Sequence, residues 1–196
     1  TVTVEDNVAP AAVCQNINVY IDGSGNANII AADIDGGSTD ICGSVSLSAS
    51  TTAFTCADIG PNNVTLTVTD GSSNTDNCVA VVTVLDTVSP VAICKDITVQ
   101  LNDGGTAGIV PADIDNGSWD NCGIASLSIF PSTFTATDIG NNTVVLTVAD
   151  NNGNFSTCNA IVTVGDKLPP AIQCNSIDIF LNSEGKYQLT TADLHA

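Results

Sequence analysis

The chain contains no arginine and no methionine, and its three lysines face 21 acidic residues, leaving a formal charge of −18. That imbalance excludes nucleic acid as a partner, because phosphate binding depends on basic side chains that displace counterions. It equally disfavours adsorption to an anionic membrane. Aromatic residues make up only 4% of the chain, with a single tryptophan, so any core must be assembled from Val, Ile, Leu and Ala. No apolar run reaches the ~18 residues that suggest a membrane-spanning helix, so membrane insertion is not expected. Glutamate is nearly absent, and the one histidine, His195, falls outside the two long repeated units in sequence. Neither unit can assemble a Ser-His-Asp or Cys-His set, and no enzyme is expected.

What the chain has instead is repetition. Residues 6–85 align on residues 86–165 without a gap, with 39 of the 80 positions identical. A third copy opens at Asp166 and runs to Ala196, and Thr1-Val2-Thr3-Val4 matches Val81-Val82-Thr83-Val84. The expected organisation is therefore 1–5 as the last strand of a preceding repeat, 6–85 as repeat 1, 86–165 as repeat 2, and 166–196 as the truncated start of repeat 3. Ungapped tandem repetition at this length builds distance or valency rather than one active site.

Inside each unit the apolar residues alternate with polar ones in short runs bounded by turn residues, the pattern of half-buried strands. Ile17, Val19 and Ile21 form one such run and Ile97, Val99 and Leu101 its copy, followed by turns at Asp22-Gly23-Ser24-Gly25 and Asn102-Asp103-Gly104-Gly105. The clearest strands are Val64–Thr69 and its copy Val144–Ala149, each joined by a Gly/Asn/Ser loop to a last strand. Asp58-Ile59-Gly60 and Asp138-Ile139-Gly140 read as sharp corners, with Ile buried and Gly supplying an unusual dihedral. No stretch carries a helical stripe. The predicted fold is all-β: tandem immunoglobulin-like antiparallel sandwiches, joined without a flexible linker into a rod-like array.

The combined motifs carry a resemblance. The frame V-T-V-x-D-x-x-x-P-x-x-x-C around Pro90 and Cys94 is followed by A-D-I-D-x-G-S-x-D-x-C-G at Ala112–Gly123. F-T-x-x-D-I-G, L-T-V-x-D and a closing C-x-A-x-V-T-V complete the set, and both units show all of it. It resembles the hyalin-repeat-like (HYR-like) immunoglobulin-like modules strung along giant Bacteroidetes surface adhesins, including the SprB-type adhesins of gliding motility. The resemblance implies type IX secretion to the extracellular cell surface and a structural stalk that extends an adhesive tip. Its partners would be neighbouring repeats and a surface polysaccharide or substratum. The alternative is a multivalent polysaccharide-binding array gaining avidity from many weak sites. Trp119, at the position of Thr39, is the one indole that could stack on a sugar. Asp86-Thr87-Val88 also resembles a Bacteroidetes O-glycosylation pattern, which implies Thr87 as an acceptor.

Eight cysteines at repeating positions, none in close C-x-x-C pairs, indicate disulfides in an oxidising compartment rather than zinc. The expected pairs are Cys14–Cys42 and Cys94–Cys122, each closing a loop of roughly 28 residues and contributing about 3–4 kcal/mol. Cys56–Cys78 should pair as well, since folding the last hairpin about Ser72 sets Cys78 level with Leu66. Ala136 stands where the first unit has Cys56, so Cys158 is expected as a free thiol, and Cys174 with it.

The acids are grouped. Asp33, Asp35 and Asp40 precede Cys42, as Asp113, Asp115 and Asp120 precede Cys122. In an immunoglobulin-type sandwich this loop, the last hairpin loop and the incoming chain share one end. Asp6 and Asp70 would join the first group, Asp86 and Asp150 the second. Clustered carboxylates repel unless a cation or hydrogen-bond donors compensate them, and hard oxygen ligands at flexible spacing suit Ca²⁺. The competing role is loop capping, since Asp readily accepts bonds from nearby backbone N–H groups.

Overall fold

The computed structural model describes residues 1–169 and 178–188. Two modules follow the repeat, each of six strands. The first holds β1 (Ile17–Tyr20), β2 (Asn26–Asn28), β3 (Ser46–Ala49), β4 (Ala53–Thr55), β5 (Gly60–Thr69) and β6 (Thr75–Leu85). The second holds β7 (Ile97–Gln100), β8 (Thr106–Gly108), β9 (Ile124–Phe130), β10 (Thr133–Thr135), β11 (Gly140–Asp150) and β12 (Phe155–Gly165). Each folds into a four-stranded sheet, β1-β6-β5-β3 or β7-β12-β11-β9, and a two-stranded sheet, β2-β4 or β8-β10. Single helical turns at Ala31–Ile34 and Pro111–Ile114 lead into the acidic loops.

Period-two patterning builds both cores. Val64, Leu66 and Val68 of β5 face inward with Ala80, Val82 and Val84 of β6, and Ile21, Ile29, Ile34 and Phe54 close over them. The second core repeats this with Val144, Leu146, Val148, Ala160, Val162 and Val164 beneath Leu101, Ile109, Ile114 and Phe134. Six branched or small apolar residues on two central strands replace the aromatics the chain lacks. Gly60 and Gly140 turn the predicted corners at φ 112° and 110°. The isoleucines there are not buried as expected: Ile59 is half-buried and Ile139 exposed.

The first strand departs from an all-antiparallel sandwich. β1 runs parallel to β6, with Ile17 opposite Val82 and Leu85 opposite Tyr20, and β7 pairs likewise with β12. This pairing rewrites the disulfides. Cys14, just ahead of β1, reaches Cys78 on β6, and Cys94 reaches Cys158 on β12. The expected Cys14–Cys42 and Cys94–Cys122 bonds do not form, and Cys158 is not free. Leu66 does stand opposite Cys78, as the hairpin folding requires. Yet Cys56–Cys78 fails, because Cys56 lies at the far end of the sheet, where Gly60 faces Val84. Val84 lies six residue steps along the strand from Cys78, roughly 20 Å.

Residues 1–5 form no strand and are exposed. The corresponding stretch of β6 takes β1 and β5 of its own module as neighbours, so residues 1–4 would need the rest of another sandwich to pair. Cys174 and most of the third unit lie outside the described residues. Within 178–188 an exposed turn closes from Asn182 to Lys186.

Candidate metal centre at the module junction

The modules meet through the β1–β2 turn and the β4 corner of the first and the acidic loop of the second. Cys56 and Cys122 form a disulfide across this boundary, and Cys122 packs against the first module's core. The Asn121 side-chain amide donates to the Asp22 carbonyl at 2.9 Å. Gly25, at φ 78°, admits this approach: a Cβ there would sit 3.1 Å from the Cys56 sulfur and 3.3 Å from the Asn121 carbonyl. Its repeat counterpart Gly105 meets nothing within 4 Å.

Two residues before Cys122 in the chain, Asp120 gathers with Asp86 and Asp150, each placing a carboxylate oxygen within 4.8 Å of the others. Three different segments supply them, the inter-module chain, the acidic loop and the end of β11. Asp86 is 7% exposed and Asp150 is 4% exposed. Local turns engage part of each carboxylate. Asp86 Oδ1 accepts from the Val88 N–H, and Asp120 Oδ2 from the Cys122 N–H. Asp150 is held on both oxygens: the N–H groups of Asn152 and Asn154 reach Oδ1, and the Asn154 amide reaches Oδ2 at 2.7 Å. Burial works to raise its pKa, but those donors outweigh it and hold the carboxyl below its ordinary value. Asp150 therefore carries its charge in a covered position.

Two oxygens remain without a partner. Asp86 Oδ2 and Asp120 Oδ1 are both buried and accept no hydrogen bond; the side-chain oxygen of Asn121, whose amide reaches Asp22, is also buried and unpartnered. Leaving a charged acceptor buried and unsatisfied costs several kcal/mol, so the arrangement calls for a positive group. A Ca²⁺ ion ligated at about 2.4 Å spans oxygens up to roughly 4.8 Å apart across its shell, so three oxygens all within that distance can share one ion. The all-oxygen donor set is hard and anionic, which favours Ca²⁺ over zinc. The residues present fit that ion.

The first module brings together Asp6, Asp40 and Cys42 instead. Asp40 Oδ1 is again buried without a partner, and Asp6 Oδ1 accepts from Val8 as Asp86 does from Val88. Asp70 copies Asp150, with Asn74 on both its oxygens, and lies close enough to act on Cys42. Partial desolvation, then Asp6, Asp40 and Asp70, push the Cys42 thiol above its ordinary value.

Four of the ten predicted ligands take the capping role. Asp33 Oδ2 accepts from Ile30 and Asp113 Oδ2 from Val110, each closing its helical turn. Asp35 and Asp115 accept from the N–H groups of Ser38 and Ser118. They stand outside both clusters because each points into its own loop rather than toward the incoming chain. Trp119 is 53% exposed while its backbone pairs with Val91, and Thr87 is exposed at the junction.

No family model matches the chain, and no curated protein matches it. Among solved structures it is similar to extracellular cadherin domains 1–4 of protocadherin gamma B7, at 14% identity and TM-score 0.38. That match covers 81% of this chain and 51% of the other, so the chain spans about half its length. Human protocadherin-24 EC1-2 is similar at 11% identity and TM-score 0.43, covering 82% of this chain and 100% of that one. Sidekick-1 immunoglobulin domains 1–4 give 12% identity and TM-score 0.39, over 81% and 48% of the two chains. At such scores these likenesses bear no weight for function. The all-β sandwich assignment stands on the strands and cores themselves.

Proposed function

We propose that the chain is a run of spacer modules from the stalk of a secreted bacterial surface adhesin, with joints stiffened by calcium and, at this junction, by a disulfide. The observation that carries the reading is the boundary itself. A covalent bridge and a cluster of buried, uncompensated carboxylates occur together where one module hands over to the next. A joint of that kind resists bending and extension, which suits a stalk that holds a tip away from a surface. Three disulfides fit an extracellular, oxidising location. The HYR-like motifs supply the link to adhesins of gliding and adhesion and to type IX secretion. Neighbouring repeats would be the chief partners.

A polysaccharide-binding array is the second reading, supported by exposed rings on the second module at Trp119, Phe130 and Phe155. Small-angle scattering of the full chain separates the two when combined with a glycan screen. The spacer reading expects an elongated particle in Ca²⁺ that gains flexibility on chelation and reduction, with no glycan retained. A compact particle insensitive to both treatments contradicts it, and reproducible micromolar glycan binding favours the array.

A further inference from the structure

The two modules offer the same end to two different environments. At the second module's receiving end, the β1–β2 turn and β4 corner of the first module cover Asn121 and Cys122, and the Cys56–Cys122 bond closes the contact. At the first module's receiving end the same positions lie bare. Among the described residues Cys42 is the one unpaired cysteine, and it is exposed. Ile41, at the position of Asn121, is 87% exposed. Beside it opens a cleft of about 390 Å³ lined by Val8, Ala9, Ala11, Thr39, Asp40 and Ile41. The chain feeding this end, Thr1–Val4, matches the Val81–Val84 segment that feeds the second module.

We infer that Cys42 and this apolar face form a docking site for another module of the same kind, sealed by an inter-module disulfide. The occupant is the turn and corner of a preceding repeat that carries cysteine at the position of Cys56. Cys122 shows the same residue making that bond one repeat further on. Ile41 and the cleft supply apolar area that the polar Asn121 contact lacks. The corollary concerns the other end. Ala136 occupies the Cys56 position of the second module and is exposed, so the joint after it has no sulfur to offer. Bridged and unbridged joints would then be written into the array module by module, by the residue at this one corner.

The bond forms by exchange with a small-molecule disulfide. The thiolate of one cysteine attacks oxidised glutathione and expels glutathione thiolate. The second cysteine's thiolate then attacks the protein sulfur of the mixed disulfide and expels the other glutathione. Two protein thiols are oxidised and one glutathione disulfide is reduced. The inference rests on the modular reading of the chain but not on calcium.

The test inserts one further copy of residues 6–85 between Glu5 and Asp6 of the full chain, keeping the natural junction register. The protein is oxidised in a glutathione buffer, alkylated and mapped without reduction. A Cys42–Cys56 cross-linked peptide should appear, absent from the parent chain. Of the two copies of Cys42, only the leading one should remain open to alkylation. Changing Cys56→Ala in the inserted copy alone should return the second Cys42 to the alkylated pool, with the Cys14–Cys78 bonds intact. Both copies of Cys42 alkylated in the oxidised protein would overturn the proposal. So would a bond from Cys42 to Cys174 or between the two copies of Cys42. A failed scattering result with a positive map would remove the stalk reading and leave the docking site standing.

Discussion

The receiving ends of the two modules share their loops, their turn geometry and most of their acids, yet only the second is closed. Asp86, Asp120 and Asp150 converge in the module whose Cys122 is bonded to the first module. Asp6 and Asp40 converge on a thiol in an open setting. Asp70 and Asp150 are buried alike, and Asp40 Oδ1 and Asp120 Oδ1 are both buried without a partner, so the acids of the two ends differ chiefly at Asp6, half-buried where Asp86 is buried. A buried carboxylate needs a counter-charge, whereas an exposed one is compensated by water. On the calcium proposal, the second site, with three carboxylates gathered and Asp86 buried, is the one where a cation would matter most.

The largest effects should come from the bonds both modules share. Cys78→Ala and Cys158→Ala each open a disulfide that spans 64 residues. Each should destabilise its own module by about 4 kcal/mol on the chain-entropy estimate. Chemical denaturation followed by proteolytic fragmentation would assign the loss to one module or the other. Cys56→Ala should act differently, leaving each module's unfolding near the parent while loosening the junction. Equal destabilisation of a module by Cys56→Ala would break the distinction between module bonds and joint bonds.

A glycine pair sharpens the same contrast at lower cost. Gly25 and Gly105 both sit at positive φ, 78° and 71°, so alanine at either is strained by about 1–2 kcal/mol. Only Gly25 is approached by the neighbouring module. Gly25→Ala should exceed Gly105→Ala in its effect on melting and should also slow closure of the Cys56–Cys122 bond. Matching effects from the two would mean that the junction contact is not tight.

Acid sensitivity is the smallest difference. Asp76 accepts from the Ala12 N–H at 2.9 Å, and that bond, with one from Asn77, holds its pKa below the ordinary 3.8. The second module has Ser156 there, with its hydroxyl buried and unpartnered. A carboxyl with a depressed folded-state pKa stabilises fully above its unfolded value and loses that contribution as pH falls through the folded one. Asp35 and Asp115, lowered by the Ser38 and Ser118 bonds, act alike in both modules. The first module should therefore lose more stability than the second below about pH 4, and Asp76→Ser should remove the difference. Amide exchange measured per module across that range would show it.

Much of this was legible in the residues. Alternation at Val64–Thr69 gives a strand buried on one face, and the Gly/Asn/Ser loop sets the hairpin register that places Leu66 opposite Cys78. The gathering of Asp86, Asp120 and Asp150 follows from which loops share an end. The parallel pairing of β1 with β6 was not legible, because a four-residue strand such as Ile17–Tyr20 alternates identically whichever edge it joins. That edge accounts for the Cys14–Cys78 and Cys94–Cys158 bonds, whereas Cys56–Cys78 fails because Cys56 lies at the other end of the hairpin. The inter-module bond left one trace in the sequence, cysteine at position 56 against alanine at 136. A bond internal to the module should recur in every copy, whereas one that varies between copies fits a joint. Asp33 and Asp113 could not be separated from the ligand candidates by spacing, since capping and coordination use the same carboxylates.

The proposed calcium site at the second module's receiving end is what the stiffened-joint reading turns on. The direct measurement is thermal unfolding of the oxidised full chain in about 5 mM Ca²⁺ and in chelator, alongside Asp86→Asn and Asp120→Asn. Extracellular calcium modules bind with Kd values near 10⁻⁴–10⁻³ M. Mass action then raises the parent midpoint by roughly 3–8 °C. The variants should lose most of that rise, while Asp33→Asn and Asp113→Asn should keep it. A midpoint that ignores calcium in the parent chain, with no heat of calcium binding in calorimetry, would contradict the metal centre.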